Sequence, residues 1–257
     1  MSAFASSLLD IPNGVERWHY VAYDQLNQDL LTTDENAKLG VIFSETSWKA
    51  KQLPYHKQKL VLQLSNQRHF ALEMQSLGYP IRYVFSDKGY SEVLAEIIDE
   101  YGVVTATKPA ELTLRKSISN LIESGKIKVL NHKGWLTTTE DFTSSVGDKP
   151  PWRMDKFYRH IRKSQSILLD ENSKPLGGSW SLDDQNRLPW DSAVELPQMP
   201  SFKPDQITSE VIQMVERKFS HHPGKINQEN IPASNEDSTR LWDWAKSTVM
   251  HWFGPYE

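Results

Sequence analysis

The sequence predicts an α/β fold, a doubly wound and mostly parallel sheet of five strands followed by a helical linker region. The first observation is that short runs of β-branched and aromatic residues alternate with longer amphipathic segments between residues 17 and 131. The second is that the connections are short, as in sheets whose parallel strands are joined by helices. A chain of 257 residues can bury a core of this size.

The predicted strands are short and rich in residues that favour β-structure. The first, RWHYVAYDQL (17–26), ends in polar residues, and the second, LGVIFSE (39–45), ends at Glu45. The remaining strands are predicted at 81–86, 102–107 and 127–131.

Helices are predicted between these strands. Helix 55–77 places apolar side chains toward the sheet and ends before Gly78, a typical C-cap residue. Helices 91–101 and 110–123 follow the third and fourth strands. This alternation of strands and helices indicates a doubly wound sheet.

The second half of the chain has a different organisation. Thr138-x-x-Asp141 is a capping box, which predicts a short helix after the last strand. Helices are then predicted at 153–169, at 208–219 and over a Trp-rich stripe near the C-terminus. We therefore divide the chain into an α/β domain (15–148), an amphipathic helix with a Gly- and Pro-rich linker (149–204) and terminal helices (205–257).

The helix at 153–169 has a basic face. Residues 152–163 contain five Lys or Arg side chains against one Asp, and most of the cations fall on one side of the helix. Such a stripe is typical of a solvated face, and it also suits contact with nucleic-acid phosphates. Arg159, Arg162 and Lys163 are the candidates for contact with DNA or with another domain.

Composition limits the classes of function. The net charge is −4, so any contact with a polyanion must be local. The absence of cysteine excludes disulfides and thiolate chemistry on this chain and favours a cytoplasmic protein. No apolar run reaches the roughly 20 residues that a membrane span needs, so we expect no membrane partner.

The sequence contains no motif that predicts catalysis or metal binding. The glycine patterns of dinucleotide and P-loop sites are absent, as are the GxSxG and HExxH motifs. His221-His222 is too closely spaced for a usual metal-ligand pair. We predict neither catalytic residues nor metal ligands.

Ligand-binding residues are expected at the carboxyl ends of the strands, where open α/β sheets bind ligands. Asp24 and Gln25 follow the first strand, and Glu45 with Lys49 follow the second. These four are the candidate cofactor-binding residues. Asp24 and Gln25 suit loop capping equally well.

Two further motifs follow the basic helix residues FYRHIRK (157–163): PLGGSW (175–180) and DDQNR (183–187). In this order they resemble the middle of bacterial iron–sulfur-class photolyases and cryptochromes, a family that includes (6-4) photolyases and photolyase-related proteins. The run Asp24-Gln25-Leu26 and the helix HKQKLVLQLSNQRHF (56–70) resemble the same family.

The resemblance implies a photolyase N-terminal type of fold and an antenna chromophore similar to a ribityl-lumazine. It implies that the terminal helices lead to a helical catalytic domain absent from this chain, which would hold FAD and an iron–sulfur cluster. It also adds Gly177, Gly178, Asn186 and Arg187 to the candidates for DNA or interdomain contact.

This sequence departs from the family pattern beside the expected antenna site. Lys49 stands where the family has a second carboxylate, and Gln52 stands where it has a tyrosine. Three hypotheses follow. The chain is an antenna-binding module that supports light-driven DNA repair together with a separate or missing catalytic half, or it is a chromophore-free remnant that binds DNA or a partner. The third is a small-molecule enzyme on the same scaffold, which the fold alone would permit.

Overall fold

The computed structural model describes residues 2–31, 38–181 and 197–250. Five parallel strands form one sheet in the order β3-β2-β1-β4-β5. The strands are β1 (Arg17–Tyr20), β2 (Leu39–Thr46), β3 (Ile81–Ser86), β4 (Val104–Thr107) and β5 (Ile127–Leu130). The predicted α/β fold with a five-stranded parallel sheet is confirmed.

The chain winds from β1 outward to β3 and then returns to the other side of β1 to form β4. The boundary between β1 and β4 is therefore the topological switch point, where crevices open at the carboxyl ends of the strands.

Helices of the sheet-containing unit pack against both faces of the sheet. The helices of this unit are α1 (Ala3–Ser7), α2 (Trp48–Gln52), α3 (Lys57–Ser76), α4 (Tyr90–Tyr101), α5 (Leu112–Ser117), α6 (Ser119–Glu123), α9 (Gln206–Lys218) and α10 (Asn235–Trp244). A second compact unit contains α7 (Thr139–Val146) and α8 (Met154–Ser164). Side chains alternate along β1, so that Trp18 and Tyr20 pack with α4, α5 and α6 while Val21 just beyond the strand packs with α1 and α3.

A third apolar cluster lies between α3 and α9. Val211 and Val215 of α9 are fully buried against Val61 of α3, and Ile231 from the segment after α9 completes the cluster. Residues 205–257 were predicted to form helices that lead to a catalytic domain absent from this chain, and this stays a prediction. In the structure, Met199–Ala245 forms one compact unit with Met1–His132, while Lys133–Gln198 and Lys246–Glu257 form the other.

The structure corrects three element boundaries. The helix predicted at 153–169 ends at Ser164, since Ser166 and Leu168 have positive φ angles that break the helical path. The helix predicted at 110–123 is two short helices that meet at Ile118. The first strand ends at Tyr20, so Tyr23, Asp24 and Gln25 lie in a loop.

The capping box at Thr138 and Asp141 is confirmed at the start of α7. In the described part of the chain, no helix combines the length and apolar character needed to cross a bilayer.

Candidate ligand cavity

A cavity of about 400 Å³ opens at the carboxyl edge of the sheet, near the switch point. It is lined from three strand ends: by Tyr23 and Asp24 after β1, by Thr46 as the last residue of β2 with Lys49 after it, and by Glu111 after β4. The lining is completed by Ala50, Tyr55, Lys59, Leu60, Gln63, Leu64, Tyr90 and Phe219. Its size and its mixture of aromatic and polar groups are typical of small-molecule sites.

Lys49 is the central polar group of the cavity. Its Nζ donates a hydrogen bond of 2.7 Å to Tyr23 Oη and forms an ion pair with Glu111. The same ammonium lies 5.1 Å from the centre of the Tyr23 ring and 5.7 Å from that of Tyr55. Burial lowers the pKa of Lys49, and the nearby charge of Lys59 lowers it further.

Glu111 is held at the start of α5 and brings a carboxylate into the cavity from the β4 side. One of its oxygens pairs with Lys49, whereas Oε2 is buried with no hydrogen-bond partner. Burial raises the pKa of this carboxyl group. A buried acceptor without a partner is costly, so Oε2 is available to a hydroxyl or N–H donor of a ligand.

Three tyrosines provide the aromatic lining. Tyr90 is buried and packs edge-on to Trp48, while Tyr23 and Tyr55 are half-buried. Burial raises the pKa of Tyr55 and that of Tyr90, so both hydroxyls stay neutral near pH 7. Neutral tyrosines offer ring faces for stacking and hydroxyls that can donate or accept.

The structure brings together two of the four predicted cofactor-binding residues. Asp24 is exposed and lines the cavity with Lys49. Gln25 is buried beside it, and its Nε2 donates to the Lys108 carbonyl at 2.8 Å. Gln25 thus joins the loop after β1 to the loop after β4 and is absent from the cavity lining.

Glu45 lies in a separate cavity of about 440 Å³ near the ends of β2 and β3. Its two oxygens accept from Arg68 Nε at 2.8 Å and from Nη2 at 2.7 Å, and Oε2 also accepts from Tyr83 Oη at 2.7 Å. Arg68 Nη1 donates to Glu210 of α9 at 2.8 Å. Internal partners therefore occupy both oxygens of Glu45.

The candidate DNA-contact residues of α8 have different environments. Arg159 and Lys163 are exposed, and Lys163 Nζ lies 5.3 Å from the centre of a Trp180 ring. Arg162 is buried, and its guanidinium donates to three backbone carbonyls that follow the helix, those of Ile167, Leu168 and Trp180. Arg162 thus fixes the turn after α8.

Gly177 and Gly178 have φ angles of +78° and +79°, which L side chains rarely adopt. The Gly178 amide donates to the Pro175 carbonyl at 3.0 Å, so the pair forms a tight turn. Asn186 and Arg187 lie outside the described residues. Within the described ranges, no three His, Asp or Glu side chains cluster as a metal site would require.

Sequence reasoning missed the three tyrosines and Glu111. Glu111 could have been found, because it follows the fourth strand and so belongs to the same carboxyl edge as Asp24. Tyr90 could not, because as the first residue of α4 it has the pattern of a core aromatic residue.

Comparison with known proteins gives the family. Residues 19–231 match the family model described as deoxyribodipyrimidine photo-lyase-related protein. The chain belongs to this family. It is also similar to a (6-4) photolyase of Agrobacterium fabrum (strain C58 / ATCC 33970), with 27% identity over 228 residues, 84% of this chain and 45% of that protein.

A second similar protein is an uncharacterized protein of Acanthamoeba polyphaga mimivirus, with 24% identity over 184 residues. That match covers 68% of this chain and 90% of the viral protein. The chain thus spans less than half of the bacterial photolyase but nearly all of the viral relative.

The two positions singled out in the sequence, Lys49 and Gln52, have different surroundings. Lys49 lines the cavity and is paired with Glu111, a carboxylate that comes from another strand end. Gln52 is exposed and outside the cavity lining, while Tyr23, Tyr55 and Tyr90 supply aromatic rings. The lining therefore presents hydrogen-bond donors, acceptors and aromatic ring faces to a ligand.

Proposed function

We propose that this chain is an antenna module of the photolyase-related type, which binds a heteroaromatic chromophore similar to a ribityl-lumazine. The observation that carries this proposal is the convergence of three tyrosines, Lys49 and Glu111 on one cavity near the switch point. Ring faces of this kind stack on a fused ring, and the polar groups suit ribityl hydroxyls. The chromophore would absorb light; the residues of this chain would bind and orient it.

The proposal includes a partner. An antenna acts by passing excitation to a second chromophore, so the module would work with a flavin-carrying helical half, covalent or separate, in a cytoplasmic DNA-repair protein. The family and the similarity to a (6-4) photolyase support this assignment. The chain contains no cysteine, so a cysteine-ligated iron–sulfur cluster would be held by that other half.

The first test is the visible absorption of the chain purified from its own host, followed by substitution of Asp24. We expect a band above the protein region, and we expect Asp24→Ala to weaken chromophore binding by about tenfold through loss of a hydrogen bond to the ligand. Asp29→Ala, an exposed aspartate outside the cavity lining, is the control. A folded protein with no band that binds no added ribityl-lumazine would contradict the proposal.

A second candidate function is that of a chromophore-free DNA- or partner-binding protein. The observation that favours it is the exposed basic face of α8, where Arg153, Lys156, Arg159, His160 and Lys163 are all accessible. Cations on one helix stripe match the spacing of a phosphate backbone.

A further inference from the structure

Lys49 presents a primary amine to the cavity, which sets it apart from another ion-paired lysine of similar burial. Its side chain is 19% exposed, so the amine is shielded from bulk water while it lines the cavity. The side chain of Lys57 is 12% exposed and pairs with Glu216, but it lies outside the cavity lining. A compound in the cavity can therefore reach the amine of Lys49 directly.

The two groups bonded to Lys49 can carry its protons. Its Nζ donates to Tyr23 Oη at 2.7 Å and forms the ion pair with Glu111. Burial and then the charge of Lys59 lower the pKa of Lys49, against the opposing charge of Asp24, while burial raises the pKa of Glu111. Both shifts favour transfer of a proton from the ammonium to the carboxylate. A lysine that loses its proton in this way is a nucleophile.

The lining selects the kind of compound that would meet this amine. Its formal charges sum to zero, since it contains two cations and two carboxylates: Lys49, Lys59, Asp24 and Glu111. A neutral compound is therefore favoured over an ion. Lys49 Nζ lies 5.1 Å from the centre of the Tyr23 ring and 5.7 Å from that of Tyr55. An aromatic compound stacked on either ring would place a carbonyl substituent beside the amine.

We infer that Lys49 forms an imine with neutral aromatic aldehydes that enter this cavity. Lys49 passes one ammonium proton to Glu111, and its nitrogen attacks the carbonyl carbon. A second N–H proton moves through Tyr23 Oη to the carbonyl oxygen, which gives a carbinolamine. Glu111 then returns its proton to the new hydroxyl, which leaves as water while the C=N bond forms. This activity goes beyond the proposed function and needs no chromophore.

Benzaldehyde with sodium cyanoborohydride tests the inference on the full chain, because the reductant traps an imine as a stable secondary amine. Peptide mass spectrometry then gives the rate of benzyl addition at each lysine. Lys49 should be labelled about tenfold faster than exposed Lys51, since a bound aldehyde is held at a high local concentration. The rate at Lys49 should saturate as benzaldehyde increases, whereas the rates at Lys51 and Lys57 should rise linearly.

Two variants separate the amine from the carboxylate. Lys49→Arg keeps a cation beside Glu111 but cannot form an imine, so the fast phase of labelling should disappear. Glu111→Gln should slow the labelling of Lys49 to about the rate of Lys51, although loss of a neighbouring negative charge alone would increase the fraction of free amine. Glu96→Gln, at an exposed carboxylate paired with Lys88, is the matched control and should leave the rate at Lys49 unchanged.

Two outcomes would overturn the inference. Labelling of Lys49 no faster than that of Lys57, or labelling without saturation, would show that the pair with Glu111 is structural only. Faster labelling of Lys49 in Glu111→Gln would contradict the transfer of its proton to Glu111. Neither outcome depends on a bound chromophore, so the proposed function would stand or fall by its own test.

Discussion

At the residue scale, His19 shows how burial sets a protonation state. It is 1% exposed in the middle of β1, and its Nδ1 lies 2.9 Å from Thr105 Oγ1 on the neighbouring strand β4. Burial lowers the pKa of His19 from 6.5 to about 4. The ring is therefore neutral near pH 7 and contributes to the sheet without a charge.

This burial predicts an acid-sensitive stability. Below pH 6.5 the unfolded chain binds a proton at His19 that the folded chain does not accept until about pH 4. The free energy of unfolding should therefore fall as the pH drops from 6.5 to about 4, by up to about 3 kcal/mol, and this contribution should level off at lower pH. Urea unfolding at a series of pH values measures it.

His19→Asn should remove this part of the pH dependence, whatever its effect on stability near pH 7. His221→Asn, at an exposed histidine, is the control for the substitution itself. A wild-type profile that is flat over this interval would show that His19 is protonated in the folded chain.

At the element scale, Arg68 joins three pieces of structure. It lies on α3, pairs with Glu45 at the end of β2, and reaches Glu210 on α9. Glu210 also accepts from the Ser2 hydroxyl and from the Ala3 amide at 2.7 Å, so the start of α1 belongs to the same network. Since this network is largely buried, it fixes how α9 and α1 pack on the sheet.

Loss of Arg68 should therefore be costly. Arg68→Ala leaves the carboxylate of Glu45, whose side chain is 9% exposed, without its cation. We expect a decrease of about 3–5 kcal/mol in the free energy of unfolding, measured with chemical denaturant. Lys88→Ala, which breaks the exposed pair with Glu96, should cost at most about 1 kcal/mol. Similar costs for the two variants would contradict this account of the network.

At the scale of the whole molecule, charge limits how the chain can meet DNA. A net charge of −4 disfavours the binding of a polyanion, so any DNA binding must depend on the local basic face of α8. Such binding would be strongly salt-dependent, because each phosphate contact releases counterions.

The double variant Arg159→Ala with Lys163→Ala tests this second function. If both side chains contact phosphates, the slope of log affinity against log salt should become shallower by about two. Lys116→Ala with Lys128→Ala, at two exposed lysines of the sheet-containing unit, is the matched control. Arg162 is left intact, since its loss would disturb the turn after α8. Unchanged DNA binding in the test variant would show that the basic face of α8 contacts solvent and not DNA.

The sequence by itself determined the fold class and the family resemblance, and it predicted a ligand site at the carboxyl edge of the sheet. These depend on local signals: apolar residues that recur at the spacing of a helix or a strand, capping residues such as Thr138, and short motifs in a fixed order. The sequence also predicted that Asp24 and Lys49 lie close together, because residues that follow neighbouring parallel strands lie at one edge, and both line the cavity.

Only the tertiary structure decided which polar residues face the cavity and which are held by internal partners. Gln25 follows the same strand as Asp24, and Glu45 lies at the end of the strand that precedes Lys49. The Lys108 carbonyl nevertheless accepts from Gln25, and Arg68 binds Glu45. Glu111 and Tyr90 are far from Lys49 in sequence and line the same cavity because the chain crosses over at the switch point. Local patterns record neither the direction of a side chain nor its long-range partners, because both are set by packing.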